Sequence, residues 1–315
     1  MSDVQERKHH KFEQLVARAQ AFPPARTAIA HPCDAAAIDS AVEGRRLKLI
    51  EPILVGPEAR IREAAKGHSI EGMEIVDAAF SQDSAAKAVE LVRAGKAELL
   101  MKGSLHTDEL MGAVVAREKG LRTSRRISHC FIMDVPDHPD ALIISDAAIN
   151  IAPSLEVKVD IVQNAIDLAK SLGVTDIRVA ILSAMETVNP NVPSTLEAAA
   201  LCKMADRGQI VGAVLDGPLA LDNAISPEAA KIKKISSPVA GRANVLIVPD
   251  LESGNMLAKS LSFLAGADAA GIVMGARVPI ILTSRADALL TRLASFAIAL
   301  LVAESRRHDP SAALQ

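Results

Sequence analysis

Reactive side chains crowd into residues 245–287: Asp250, Glu252, Asn255, Lys259, Ser284, Arg285 and Asp287. Two apolar segments there, 245–248 and 279–282, each read as a strand running straight into polar residues. α/β proteins present functional groups in this way, at the carboxyl ends of strands. Between the two lies FLAGADAAGIVMGA, which reads as an apolar linker. A second group follows the apolar ELLMK, where Lys102, Ser104, His106 and Thr107 precede a helix expected from Asp108. The unpaired N–H groups at a helix start favour an anion; the alternative is a helix cap with an incidental lysine. A third group is basic, Arg117, Lys119, Arg122, Arg125 and Arg126, with the last two just before an expected strand. Its alternative is a solvated basic face. Asp146, Asn150, Glu186 and Asp216 stand at further strand ends. Arginine suits bidentate recognition of phosphate or carboxylate, and a nearby carboxylate can move a proton. The combination points to an anionic substrate.

Several familiar chemistries lack their signature. The chain has no GxGxxG after its first strand and no GxxxxGK[ST], so the usual modes of nucleotide binding are unsupported. HExxH, GxSxG and zinc-spaced Cys/His clusters are also missing. Cys33, Cys130 and Cys202 lie far apart and read as reduced, buried thiols of a cytosolic protein. The net charge of −3 gives no case for nucleic acid. MSDVQERKHHKFEQL has no apolar core of a secretory signal. No uncharged apolar run reaches the ~18 residues of a membrane span; the best, 263–276, is interrupted by Asp268.

The elements that must position these groups follow a βα rhythm. An amphipathic helix over 3–20 places Phe12, Leu15, Val16 and Ala19 on one face and ends at Pro23-Pro24. Strands follow at 26–31, 50–55, 73–76 and 98–102, with helices at 35–43, 58–66 and 82–94 between them. Asp34 is placed to cap the first of these helices. Residues 129–135 and 141–145 read as a hairpin. Beyond Pro153 come helix 156–171, strand 177–183, helix 195–207, strand 210–215 and a helix within 222–234. Helix 255–264 separates the last two strands, and a final helix spans 287–305. This spacing predicts a parallel, doubly wound sheet. With no Trp or Tyr and six Phe, the core must be aliphatic.

Five blocks in order, KGSLHTDELM, ISDAAINIAP, DGPLALDNA, PDLESGNMLAKSL and VPIILTSRAD, resemble the phosphate acetyl/butyryltransferase family. The likeness covers nearly all of residues 20–305. It implies two α/β domains with an interdomain cleft, similar to isocitrate and isopropylmalate dehydrogenases: residues 1–148 plus 272–315 as the first, 149–271 as the inserted second. It implies reversible acyl transfer between phosphate and coenzyme A, the acyl group being acetyl or butyryl. Coenzyme A is then a substrate, with no metal and no cofactor, and the protein a cytoplasmic homodimer that binds neither nucleic acid nor membrane.

The resemblance also suggests roles. Arg285 would hold phosphate, Ser284 would bond the thiol or the oxyanion, and Lys259 matches a lysine of the cleft. Acetyltransferase members place a catalytic Asp seven positions after that Ser, where this chain has Thr291. Asp287 is the nearest replacement base, or else a helix cap. Lys102, Ser104, His106, Thr107, Arg125, Arg126, Asp146 and Asn255 complete the expected substrate contacts. A thiol has an ordinary pKa near ~8.5, so the site must favour thiolate. Arg and Lys would neutralise the phosphate leaving group and the oxyanion, and shared binding supplies proximity. Cys33 and Cys130 are alternative nucleophiles, against a structural role as buried thiols. Two rivals remain: an NAD- and metal-dependent hydroxy-acid dehydrogenase of the same architecture, and a non-catalytic coenzyme A-binding relative.

Overall fold

A computed structural model describes residues 10–136, 138–282 and 288–308. The chain divides into two compact units. The terminal unit is Gln14–Ile127 with Ala270–Gln315, and the inserted unit is Met1–Glu13 with Ser128–Ala269.

Helix α1 (His10–Ala19) comes first, with Phe12 and Ala19 fully buried. The terminal unit then alternates β1 (Ala25–Ala30), α2 (Ala35–Arg46), β2 (Ile50–Gly56), α3 (Glu58–Ala64), β3 (Glu74–Asp77), α4 (Ser81–Arg93), β4 (Leu99–Lys102) and α5 (Thr107–Val115). Asp34 caps α2, accepting from Ala37 N at 2.8 Å. Arg45 and Arg46 lie in its last turn, where cations complement the helix dipole. All but Arg26 of β1 is buried, as a central parallel strand requires.

In the inserted unit come β5 (Ser128–Asp134), β6 (Leu142–Ser145), α6 (Leu155–Ser171), β7 (Arg178–Leu182), α7 (Pro193–Asp206), β8 (Val214–Leu219), α8 (Leu221–Ile225), α9 (Pro227–Ile232), β9 (Val245–Ile247) and α10 (Leu251–Leu264). The chain returns through β10 (Asp268–Met274) to β11 (Ile280–Ile281) and α11 (Leu289–His308). The terminal unit orders its strands β3-β2-β1-β4-β11-β10, and the inserted unit β5-β6-β9-β7-β8. Most pairs are parallel; β5 with β6, and β10 with β11, run antiparallel.

Several elements differ from the sequence reading. The apolar linker is β10, a buried strand paired through Val273 to Ile280. The strand expected at 210–215 lies at 214–219 and runs through Pro218. It is the edge of its sheet, where a residue without an N–H costs no ladder bond. The single helix expected within 222–234 is two short ones, separated where Ser226 caps α9 and Pro227 begins it. Helix α10 starts at Leu251 because Asp250 accepts from Ser253 N at 2.8 Å. The boundary expected after residue 148 falls after Ile127. The β5–β6 hairpin joins the inserted unit because β6 pairs with β9, Ile143 opposite Val245.

The core is aliphatic as composition requires: in the inserted unit Ile144, Ala180, Leu219, Val239 and Leu246 cluster. In the terminal unit α11 is buried almost continuously from Leu293 to Ala303. Among the described residues, no helix is long and apolar enough to cross a membrane.

Candidate active site

In the terminal unit, β1 and β4 are neighbours with Ala30 opposite Lys102. The chain leaves β1 for α2, which packs against β2 and α11, and leaves β4 for α5, which packs against α4. A crevice opens where successive connections part, at the carboxyl ends of the strands.

Backbone bonds press the β4 loop onto the end of β1. Gly103 N donates to Ala30 O at 2.9 Å and Ser104 N to His31 O at 2.9 Å. Ser104 Oγ donates to the same His31 carbonyl at 2.8 Å and accepts from Cys33 N at 3.2 Å. A Cβ at residue 103 would stand 2.5 Å from Ala30 O, so only glycine permits this approach. Lys102 Nζ donates to Gly103 O at 3.2 Å, and the side chain is half-buried. His106 and Thr107 are exposed at the start of α5. Glu109 accepts from His106 N at 2.9 Å and from Ser81 Oγ at 2.6 Å. The Ser81 hydroxyl, then the His106 amide, hold its carboxyl below the usual range. The cavity is about 460 Å³ and is lined by His31, Cys33, Asp34, Arg60, Ser81, Ser104, Leu105, His106 and Glu109. Burial pushes the Cys33 thiol up, against the pull of Arg60, so it is not a ready thiolate. Burial also pushes up the Cys130 thiol, to about 12.

Arg125 is half-buried and Arg126 exposed, ahead of β5. Their loop is fixed by Thr123, whose Oγ1 donates to Gly275 O at 2.7 Å and accepts from Arg125 N at 3.1 Å.

In the inserted unit, Asp146 follows β6 and is 2% exposed. Its carboxylate accepts from Ala148 N, Ile149 N and Asn150 N at 3.0–3.1 Å, and from Asn150 Nδ2 at 2.6 Å. It shapes residues 146–150 through these bonds. Helix α10 packs tightly there: a Cβ at Gly254 would stand 2.9 Å from Asp146 O. Asn255 Nδ2 donates to Ala147 O at 3.3 Å. Lys259 lies one turn on, exposed, with no ion pair among the described residues. The structure thus brings Asp146, Asn150 and Asn255 together, with Lys259 on the same helical face as Asn255.

Ser284, Arg285 and Asp287 lie outside the described residues. Thr291 is 9% exposed in α11. Its carbonyl accepts from Ser295 Oγ at 3.0 Å. The sequence reading overlooked His31, Arg60 and Glu109 as lining residues. The strand order that makes β1 and β4 neighbours was the signal that finds them. Among the described residues no group of three or more His, Cys, Asp or Glu stands close enough to hold a metal ion.

Two α/β units with polar groups at their strand ends, one of them holding a crevice lined by Arg60, Asp34 and Glu109, fit the class of α/β proteins that bind ligands at the carboxyl ends of their strands. The sequence profile described as "Phosphate acetyl/butaryl transferase" matches residues 72–300. A phosphate acetyltransferase of Rhizobium meliloti is 62% identical over 96% of this chain and 97% of its own. A phosphate butyryltransferase of Clostridium acetobutylicum is 37% identical over 94% and 99%. The crystal structure of a branched-chain phosphotransacylase from Enterococcus faecalis superposes with a TM-score of 0.78 at 29% identity, covering 89% of this chain and 99% of that one. The chain belongs to the phosphate acetyl/butyryltransferase family. In fold alone it is also like a 4-hydroxythreonine-4-phosphate dehydrogenase from Klebsiella pneumoniae, with a TM-score of 0.55 at 13% identity over 89% of this chain and 99% of that one.

Proposed function

We propose that this acyltransferase moves an acetyl or other short acyl group, up to butyryl, reversibly between phosphate and coenzyme A by direct attack. The thiolate sulfur adds to the carbonyl carbon of the acyl phosphate, and the carbon–oxygen bond to phosphate then breaks. Acyl-coenzyme A and phosphate leave, with no covalent enzyme intermediate. Arg285 and Lys259 neutralise the phosphate and the oxyanion, Ser284 bonds the thiol or the oxyanion, and Asp287 takes the thiol proton. Lys102, Ser104, His106, Thr107, Arg125, Arg126 and Asn255 hold the anionic substrates, while Asp146 shapes the loop against which Asn255 packs. Neither metal nor cofactor takes part in this scheme, and the protein works as a cytoplasmic homodimer.

The observation that carries this reading is the 62% identity to a phosphate acetyltransferase across 96% of the chain. The test is release of free thiol from acetyl-, propionyl- and butyryl-coenzyme A with and without phosphate. Phosphate-dependent release is expected from at least one. Its absence with all three sinks the proposal, and reduction of NAD with hydroxy acids would favour a dehydrogenase instead. Sedimentation at assay concentration tests the dimer.

A further inference from the structure

Arg60 in the β1–β4 crevice has no part in the scheme above. It is exposed on α3 and has no carboxylate partner among the described residues. Its Nη1 approaches His31 Nε2 at 3.5 Å. Ser84 Oγ donates its one proton to Phe80 O at 2.8 Å. Ser84 therefore accepts from His31 Nδ1 at 3.0 Å, and Nε2 turns its lone pair toward Arg60. Burial, then Arg60, holds the imidazole below its usual range, in keeping with a neutral ring. His31 is 5% exposed and sits at φ 57. That left-handed backbone is costly for a non-glycine residue and persists where the surroundings enforce it. Here three donors, Cys33 N, Ser104 N and Ser104 Oγ, converge on its carbonyl.

The other charges in the crevice narrow the ligand. Asp34 and Glu109 line it with Arg60. Near neutral pH inorganic phosphate is an anion with few hydroxyl donors, and its charge would face two carboxylates for one guanidinium. A phosphorylated nucleoside offers both kinds of group: hydroxyl and amine donors for the carboxylates, and a phosphate for arginine. A volume of about 460 Å³ also suits such a group, since small-molecule sites run ~300–1,000 Å³.

We propose that this crevice seats the phosphorylated nucleotide end of coenzyme A. Arg60, aligned by the positioning residue His31, holds a phosphate, and Asp34 and Glu109 accept from the ribose and adenine. The inference rests on the acyl-transfer reading, and its test separates the two.

With the full chain, adenosine 3′,5′-bisphosphate is expected to inhibit competitively against coenzyme A. Arg60→Gln removes a charge-assisted bond, so the KM for coenzyme A should rise about tenfold or more. The bisphosphate should weaken equally, the KM for phosphate should stay within about twofold, and Arg60→Lys should fall between. With 4′-phosphopantetheine, which carries the thiol but no nucleoside, wild type and Arg60→Gln should have the same KM. Unchanged coenzyme A KM and bisphosphate inhibition would overturn the assignment. So would a phosphate KM that rises as much as that of coenzyme A, or an equal loss with phosphopantetheine. A wild type without phosphate-dependent turnover would refute the acyl-transfer reading instead. Calorimetric titration of the bisphosphate onto wild type and Arg60→Gln would still decide the crevice.

Discussion

A thiol must lose its proton before it attacks, and the choice of base rests on two positions, one shortly before α11 in sequence and one in its first turn. Thr291, where acetyltransferase-type members are expected to carry Asp, is buried and has only a hydroxyl, which cannot accept a proton at neutral pH. Asp287 is the carboxylate left nearest the Ser284-Arg285 pair in sequence. General bases contribute ~10²–10⁴-fold, so Asp287→Asn should lower kcat by about a hundredfold or more. Thr291→Ala should change it only a few-fold. Steady-state kinetics of both variants decide the matter: the reverse order would place the base elsewhere and leave Asp287 as a helix cap. At this scale polarity is the signal that the chain offers. Lys102, Ser104 and His106 advertise themselves by polarity after an apolar strand. Arg60 does not, because α3 also carries Arg62 and Glu58 and looks like any solvated helix. Only the three-dimensional neighbourhood of His31 marks it out. Asp146 was read as a substrate contact on polarity, and its hydrogen bonds to residues 148–150 appear only once the loop is folded.

Elements carry the site only if they approach closely enough, and the β1–β4 contact depends on Gly103. Alanine there would put a methyl 2.5 Å from one backbone carbonyl and 2.6 Å from another. Neither can move without disturbing β1, so the loop must shift. Overpacking of this kind costs ~1–3 kcal/mol. Gly103→Ala should therefore lower the thermal midpoint and raise the KM for coenzyme A together; a stable variant with wild-type KM would show that the approach is dispensable. Helix α11 is anchored at its far end by a two-pronged ion pair, Arg307 Nε and Nη2 each 2.7 Å from Glu98, just before β4. The Arg307 bond holds the Glu98 carboxyl below its usual range, against the opposing effect of burial. The folded protein thus binds that proton less readily than the unfolded chain. The pair's stabilisation is complete above the unfolded value of ~4.3 and is lost as pH falls through the lowered folded value. Solvent screening of a pair about a third exposed limits it to ~1 kcal/mol. Urea unfolding should show Glu98→Gln less stable than wild type at neutral pH, with the gap closing in acid. A gap that persists in acid would assign the effect to packing. Strand β10 was missed in the sequence because its Ala and Gly carry little strand signal, although pairing to β11 settles it as a strand. Helices with a clear cap, such as α2 and α6, were placed within a few residues.

Across the whole molecule, the βα rhythm announced a doubly wound sheet and the family resemblance implied two α/β units, with the first crossing expected after residue 148 and found after Ile127. The first crossing depends on which sheet the β5–β6 hairpin joins, a long-range pairing of Ile143 with Val245 that no local pattern encodes. Charge raises a different issue at the same scale. The molecule carries −3 overall, while coenzyme A and phosphate are anions, so its net charge does not attract its own substrates. In the scheme proposed above, binding comes from local cations such as Arg60, Lys102, Arg125 and Lys259 acting at short range. Salt tests this directly, because it shortens the screening length from ~30 Å at 0.01 M to ~3 Å at 1 M. At high salt the long-range repulsion from the net negative charge disappears first, and the contact-range attraction weakens later. The KM for coenzyme A should therefore be flat or fall slightly over the first part of the range and then rise severalfold toward 1 M. Arg60→Gln should flatten that final rise, since it lacks one of the screened contacts. A KM that climbs steeply from the lowest salt would mean that long-range attraction dominates and that the surface around the site is far more basic than the chain as a whole.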